Sequence, residues 1–447
     1  GNYFMHNENW ERDIHIEYFD QDGNLGFSQD AGVKIHGGKT RHAAQKSLRF
    51  YAREEYGEKY FNYNLFPNRE TDKYKRFLLR STMGAWGGQT IIKDALAQNI
   101  SATLNIDYQE FEPVIVYING EYWGIQTIRD KIDERYIEYT HNIDKDSVEF
   151  NVWGNVDYKD LIQFIEDNSL ENNSNYEYIK TQIDINNYID YTIAELFFKN
   201  IDWPQNNMKL WRKIPEGKWR WVLFDMDAGF GTENYNMLLH ATKNDSSNNW
   251  LNKPSSTFLF RNLLQNELFT AEFINRYAEV LNKDFDTEIM SIKLDSIKEI
   301  YRPEITSHIE RWNFPNSLDD WKLDIENNLR SFIEKRPCFV REHMMSYFEL
   351  TSFDFDCDSQ LNESFKSELT LRPNPNNGNF FLLNSYSDIL NATITNINGQ
   401  VVFKENNVDI LINESKHFEL SNLSNNVYIM QIMSNNYSEQ KKIILVN

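Results

Sequence analysis

The feature that most constrains this chain is one hairpin with acidic and amide side chains at its open end. Met208 to Lys213 and Trp219 to Phe224 carry the β-branched, aromatic and long apolar residues of strands. Pro215-Glu216-Gly217 between them is turn chemistry, a preset φ followed by a residue that tolerates positive φ. Folding about Glu216 sets residue 213 against 219 and, by the same pairing, Asn207 against Asp225. Paired Cα atoms lie about 5 Å apart. Asp202 stands five residues before Asn207, in the loop entering the hairpin, and Asp227 follows Asp225 by two. Oxygen ligands from distant sequence positions thus converge, and Mg²⁺ is a cation usually held by only one or two carboxylates.

The same spacing occurs in protein kinases. Their catalytic loop places an Asp five residues before an Asn, and a metal-binding Asp follows a short hairpin. Here Asn200-Ile201 replaces the His-Arg of ordinary kinases, and Asp225-Met226-Asp227 replaces Asp-Phe-Gly. The run Asp202-Trp203-Pro204-Gln205-Asn206-Asn207, followed by Trp219, Trp221, Asp225 and Asp227, resembles the CotH family of spore-coat-type atypical kinases. Trp221 stands where that pattern has Phe. The resemblance implies that Asp202 is the catalytic base, that Asn207 and Asp225 are Mg²⁺ ligands, and that Asp227 is a further carboxylate for the metal. The plainer alternative is a carboxylate-rich loop on a structural hairpin.

Upstream, residues 1 to 65 read as β. Ile14, Ile16 and Tyr18 alternate with His15 and Glu17, and Asp20-Gln21-Asp22-Gly23-Asn24 is a hairpin turn. Gly32 to Gly38 reads as a strand ending in glycines, and Gln45-Lys46-Ser47-Leu48-Arg49-Phe50-Tyr51 follows. Glycines before a Lys-bearing strand suit a nucleotide lobe, where backbone approaches phosphate and an ammonium pairs with it. The CotH pattern has Arg-Gly-x-Ser-Ser-Arg and then Lys-Lys-Ser-x-Arg at these places. The resemblance therefore implies phosphate contacts from Lys46 and Arg49. Alternation puts Lys46 and Arg49 on opposite strand faces, so the strand must bend or end between them. Phe77 to Arg80 is a short buried strand, Gly84 to Gly88 a glycine-rich loop, and Ile91 to Ala97 has helical spacing with Asp94 as its only acid. Pro113 to Ile128 is a hairpin about Asn119-Gly120. The family then shows a Glu before Lys-Ile-Asp, where this chain has Asp130, one methylene shorter, as the implied partner of Lys46 at the nucleotide.

Ile185, Ile189, Ile193, Leu196 and Phe197 share a helical face after Asp184, a good N-cap, and that helix feeds Asp202. Strand spacing assigns Trp203, Trp211, Trp219 and Trp221 to core. Residues 258 to 349 read as helices; Arg336-Pro337 ends one of them, and Phe339 to Phe348 forms the last. His240, His308 and His343 have no ligand-like spacing.

Composition changes after Glu349. Ser352 to Leu361 is acidic and polar and places a linker over 350–368, with Asp354, Asp356 and Asp358 read as solvated. From Leu369 the chain is Asn/Ser-rich with short strands at 380–383, 392–395, 401–403, 427–432 and 442–446, and with turns at Asn376-Asn377-Gly378 and Asn398-Gly399. Arg372-Pro373-Asn374-Pro375, Gly378, Asn398-Gly399, Leu423 to Tyr428 and the terminal Lys442 to Val446 resemble the type A C-terminal sorting domain of the type IX secretion system. That implies export across the outer membrane of a Bacteroidetes-type cell and the secretion machinery as a partner. A carbohydrate-binding or adhesive sandwich is the alternative.

A net charge of −21 argues against nucleic acid or an anionic membrane as partner, and no apolar run is long enough to span a bilayer. The chain starts at Gly1 without a signal peptide and is read as a trimmed form or a fragment. Cys338 and Cys357 are too few for a disulfide scaffold or zinc site and are expected to be free thiols, a single bridge being the alternative. Together these readings predict an α+β chain: a two-lobed, atypical protein-kinase-like domain over 1–349, a linker over 350–368, and a small all-β, Ig-like sandwich over 369–447. The implied function is a secreted or cell-surface kinase that uses ATP and Mg²⁺ on Ser/Thr of proteins, itself included. A catalytically inactive adhesion protein and an AMP-transferring enzyme are the alternatives.

Overall fold

The structure, a computed structural model, describes residues 10–81, 83–84, 86, 88–151, 156–245, 251–357, 370–372, 379–383, 391–396, 400–406, 415–420, 422–424, 426–433 and 438–445. The chain divides into two compact units, Gly1–Cys357 and Asp358–Asn447.

The first unit begins with six antiparallel strands. In sheet order they are Arg12–Phe19, Leu25–Ile35, Leu48–Tyr51, Arg76–Arg80, Glu121–Arg129 and Phe111–Ile118. Turn chemistry fixes both hairpins. Asp20 accepts from the backbone of Asp22 and Asn24, and Asn119 and Gly120 both adopt positive φ. The strand that carries Arg49 starts only at Leu48, so regular pairing does end between Lys46 and Arg49. Phe27, Phe50, Phe61, Phe77 and Leu79 fill the core beneath this sheet.

A larger core lies under the helices. Ile185–Phe197 is buried at every position but Asn186, with Asp184 as N-cap accepting from Asn187 N. The hairpin strands Lys209–Lys213 and Arg220–Leu223 lie in a second sheet, between Val148–Asn151 and the parallel strand Asp107–Tyr108. Trp203, Trp211, Trp219 and Trp221 are all buried, as core residues should be. Helices Phe258–Leu263, Glu267–Asn282, Thr287–Tyr301 and Ile305–Trp312 follow.

Three expectations change here. The last helix runs unbroken from Ser331 to Tyr347 through Pro337. A proline inside a helix costs about 3 kcal/mol. Burial of Phe332, Ile333, Val340 and Met344 on this helix outweighs that, at roughly 1.5–3 kcal/mol each. Cys338 and Cys357 are bridged, not free, with Cα atoms 5.5 Å apart. The stretch read as linker from residue 350 begins as packed chain, because Phe353 and Phe355 are buried in the helical core and only then does the unit end. Asp358 and the remainder of that stretch lie outside the described residues.

In the second unit, Thr370–Arg372, Asn379–Leu383 and Ser415–Glu419 form one antiparallel sheet. Val401–Asn406, Asn391–Asn396, Val427–Met433 and Ser438–Ile444 form another. Phe380, Leu382 and Phe418 of the first meet Ile394, Met430, Ile432 and Ile443 of the second in one core, which makes the unit a sandwich. The turns at Asn376-Asn377-Gly378 and Asn398-Gly399 lie outside the described residues.

Candidate active site

Helix Ile185–Phe197 sets the loop that bears Asp202. Near its start, Asn187 accepts from Trp221 N at 2.6 Å and donates to Trp221 O at 3.3 Å, tying helix to hairpin. At its end, the buried Arg336 guanidinium donates to the carbonyls of Leu196 (2.8 Å) and Phe197 (2.9 Å), groups that no helical N–H can reach. Phe230 N then donates to Phe198 O at 2.7 Å, which fixes the segment after Asp227 against the same helix end.

Asp202 accepts from Asn206 Nδ2 at 2.8 Å and from Asn207 Nδ2 at 3.0 Å. The same Asn207 nitrogen lies 3.5 Å from Asp225 O. Asp202, Asn207 and Asp225 therefore do come together, though not by the expected pairing. The hairpin pairs Lys209 with Val222, one residue out of the predicted register. Gly217 N folds back onto Lys213 O at 2.6 Å, and a Cβ at Gly217 would stand 2.4 Å from that oxygen, so the turn is not symmetric about Glu216. Convergence is achieved instead by two left-handed residues just beyond the ladder, Asn207 (φ 56°) and Asp225 (φ 60°).

Arg80 organises the other side and was not anticipated. Its guanidinium meets Asp94 at 3.1 Å, Asp227 at 2.8 Å and Asp225. Asp94, the lone acid on the helix after the glycine-rich loop, also pairs with Arg129 at 2.7 Å and accepts from Met226 N at 2.8 Å. Burial alone would raise the Asp94 carboxyl; Arg129, Arg80 and the Met226 N–H hold it below the usual range. Burial pushes Asp227 up to about 6, against the pull of Arg80 and with the push of Asp94 and Asp225. Beneath the loop, burial pushes Glu195 up to about 8, next to Asn200 and Tyr191. The signal for Arg80 was an arginine closing an apolar strand, followed by a single acid on the next helix.

The expected nucleotide contacts are dispersed. Lys46 Nζ donates to Arg41 O and Ala43 O, at 2.7 and 2.6 Å. Arg49 donates to His36 Nδ1 at 2.7 Å and to Tyr51 OH at 3.1 Å. Asp130 is buried and pairs with Arg69 at 2.8 Å, while Glu110 N (2.9 Å) and Tyr139 OH (2.5 Å) donate to it. Its short side chain meets these groups rather than Lys46.

A family model described as CotH kinase protein matches residues 33–157 and 144–340. The chain belongs to the CotH kinase family. A second model, the secretion system C-terminal sorting domain, matches residues 370–446, which marks this CotH protein for type IX secretion to the cell surface or the extracellular space. Comparison with curated proteins found no match. No helix among the described residues is long and apolar enough to cross a membrane.

Among the described residues no three His, Cys, Asp or Glu side chains form a metal cage. Mg²⁺ does not require one, since one or two carboxylates with an amide oxygen and phosphates suffice. The donor set of this CotH site fits that description. Asn207 engages its nitrogen on Asp202 and Asp225 O, which leaves its side-chain oxygen for a cation. The Asp225 carboxylate is 41% exposed and so within reach of a ligand.

Proposed function

We propose that this CotH protein is a secreted kinase that transfers the γ-phosphoryl group of ATP to Ser or Thr hydroxyls of proteins, including its own. The observation that carries the reading is Asn207 bonded to Asp202 and reaching Asp225 O, which joins a base to metal-ligand oxygens. Asp202 orients the acceptor hydroxyl and takes its proton as the oxygen attacks phosphorus. The bond from the γ-phosphorus to the β–γ bridging oxygen breaks, and ADP leaves. Mg²⁺ held by Asn207 and Asp225, with Asp227 beside them, supplies charge neutralisation on the phosphates when bound. The two Asn amides keep Asp202 pointed at the acceptor, and Arg80 keeps Asp225 and Asp227 from repelling one another.

One observation favours the inactive alternative: Arg80 already pairs with both Asp225 and Asp227. Incubation with γ-labelled and with α-labelled ATP, Mg²⁺ and the full chain decides. Label from the γ-position alone is expected. Label from the α-position indicates AMP transfer, and none from either supports an adhesive role.

A further inference from the structure

A cavity of about 260 Å³ opens on the core side of the hairpin. Met208 and Leu210 line it, whereas Lys209 between them does not. Strand alternation turns Lys209 to the other face, where it lies within the field of Asp225. The cavity is therefore a separate space from the candidate metal site. Its walls come from the helices Val156–Asp167, Ile185–Phe197 and Phe258–Leu263, from the hairpin, and from the loop residues Trp203, Pro204 and Gln205. No described residue of the six-stranded sheet borders it.

The lining is aromatic and almost free of charge. Tyr158, Tyr188, Tyr191, Trp203, Trp221 and Phe258 supply rings, and Glu166, the one lining residue with a formal charge, is exposed. Tyr188 packs edge-on against Trp221 with centroids 4.6 Å apart, and Tyr191 against Trp203 at 6.2 Å, which holds the walls in place. An ion inside would find no counter-charge, so the occupant must be neutral. It must also hydrogen-bond. Trp221 Nε1, a donor, and Gln205 Oε1, an acceptor, are buried without a partner among the described residues. Buried polar atoms are nearly always paired, with protein or with something bound. Size narrows the class further. A cavity of about 150 Å³ takes a benzene ring. This one has room for two fused rings, and falls short of the roughly 300 Å³ or more that drug-sized ligands fill.

We propose that this cavity binds a small, uncharged, fused-ring aromatic ligand that accepts a hydrogen bond from Trp221 and donates one to Gln205. Trp203, Pro204 and Gln205 follow Asp202 directly and lead to Asn206 and Asn207, so one wall of the cavity is the loop that carries the candidate base. The opposite wall is tied to that loop, since His240 Nε2 donates to Trp203 O at 3.0 Å and the neighbouring Ala241 lines the cavity. A bound ligand therefore bears on how Asp202 is held. That consequence rests on the kinase reading, but the binding itself does not.

The test separates the two. Carbostyril, a fused bicyclic lactam with one N–H and one C=O, is titrated calorimetrically into the full chain beside quinoline, which only accepts, and indole, which only donates. Carbostyril should bind one molecule per chain, about tenfold more tightly than either, as one further hydrogen bond to a buried group allows. Gln205→Leu should bring carbostyril down to the affinity of quinoline and leave quinoline unchanged. Trp221→Phe should do the same relative to indole. If that variant does not fold, Gln205→Leu, at a half-buried position, decides alone. Saturating Mg²⁺-ATP should not displace carbostyril. No binding of carbostyril, equal affinity for all three compounds, an unaltered preference in Gln205→Leu, or displacement by Mg²⁺-ATP would each overturn the site. Carbostyril should also change the rate of transfer from saturating labelled ATP, and an unchanged rate would overturn the link to the Asp202 loop. Binding that meets these expectations, without any transfer from labelled ATP, would keep the site and remove the kinase. Transfer without carbostyril binding would do the reverse.

Discussion

At the residue scale, the proposed function assigns different roles to two carboxylates twenty-three positions apart in sequence. Asp225 stands in a left-handed conformation with an exposed carboxylate, whereas both Asp202 oxygens accept from neighbouring amides. Asp225→Asn removes a charge from a divalent site, so Mg²⁺-ATP should bind weakly. Asp202→Asn should leave binding near that of the wild type and lower turnover by about 10²–10⁴-fold, the usual worth of a general base. Calorimetry and single-turnover assays on both variants check this, and the reverse pattern would exchange the two roles. That Asp202, Asn207 and Asp225 come together was legible because a fixed Asp-to-Asn spacing and a hairpin restrict where oxygens can go. Arg80 was less so: its place at the end of an apolar strand and the lone acid Asp94 after it were visible, but not that Asp225 and Asp227 would meet the same guanidinium. Lys46 and Asp130 fell in family-like positions, but their side chains found nearer partners.

At the scale of elements, local chemistry was the readable part. Hairpins at Asp20–Asn24 and Asn119–Gly120, and the helix capped by Asp184, follow from residues adjacent in sequence. The hairpin of strands Lys209–Lys213 and Arg220–Leu223 slipped by one because its register depends on how Gly217 packs on Lys213, which no composition rule encodes. Contacts between elements were hidden altogether. His308, on helix Ile305–Trp312, accepts from Ile125 N at 2.9 Å, and Trp312 Nε1 donates to Trp123 O at 2.8 Å. Gly124, at φ +84°, leaves room for them, since a Cβ there would lie 2.6 Å from His308 Nδ1. Burial pushes His308 down to about 4, so its neutral form is the folded one. That stability is full above the unfolded value of about 6.5 and falls as pH drops towards 4, by about 1.4 kcal/mol per pH unit. Denaturant midpoints should therefore show the advantage of wild type over His308→Gln shrinking by about 2 kcal/mol between pH 7 and pH 5. An unchanged gap would mean that the imidazole is not held neutral.

The whole molecule is two units of different composition, and that contrast was visible in the sequence; the join was not. Phe353 and Phe355 sit in a polar stretch, and only the packed helices reveal that they are core. A chain ending after Cys357 should melt like the first unit of the intact protein and keep nucleotide binding. One ending after Glu349 loses the bridge, worth about 2–4 kcal/mol, and two buried aromatics at roughly 1.5–3 kcal/mol each. It should melt several degrees lower even if nucleotide still binds. Equal melting of the two chains would place the boundary back at Glu349.

The bridge has a mechanical side as well. Cys357 is the last residue of the first unit, and the sorting domain begins beyond it. Tension applied to that tail enters the first unit at Cys357 and crosses the sulfur–sulfur bond to Cys338, within the helix Ser331–Tyr347. The residues between the two cysteines, Phe353 and Phe355 among them, are bypassed and carry none of the load. Pulling on the tail therefore tugs a long helix with one buried face, and does not peel away the end of the chain.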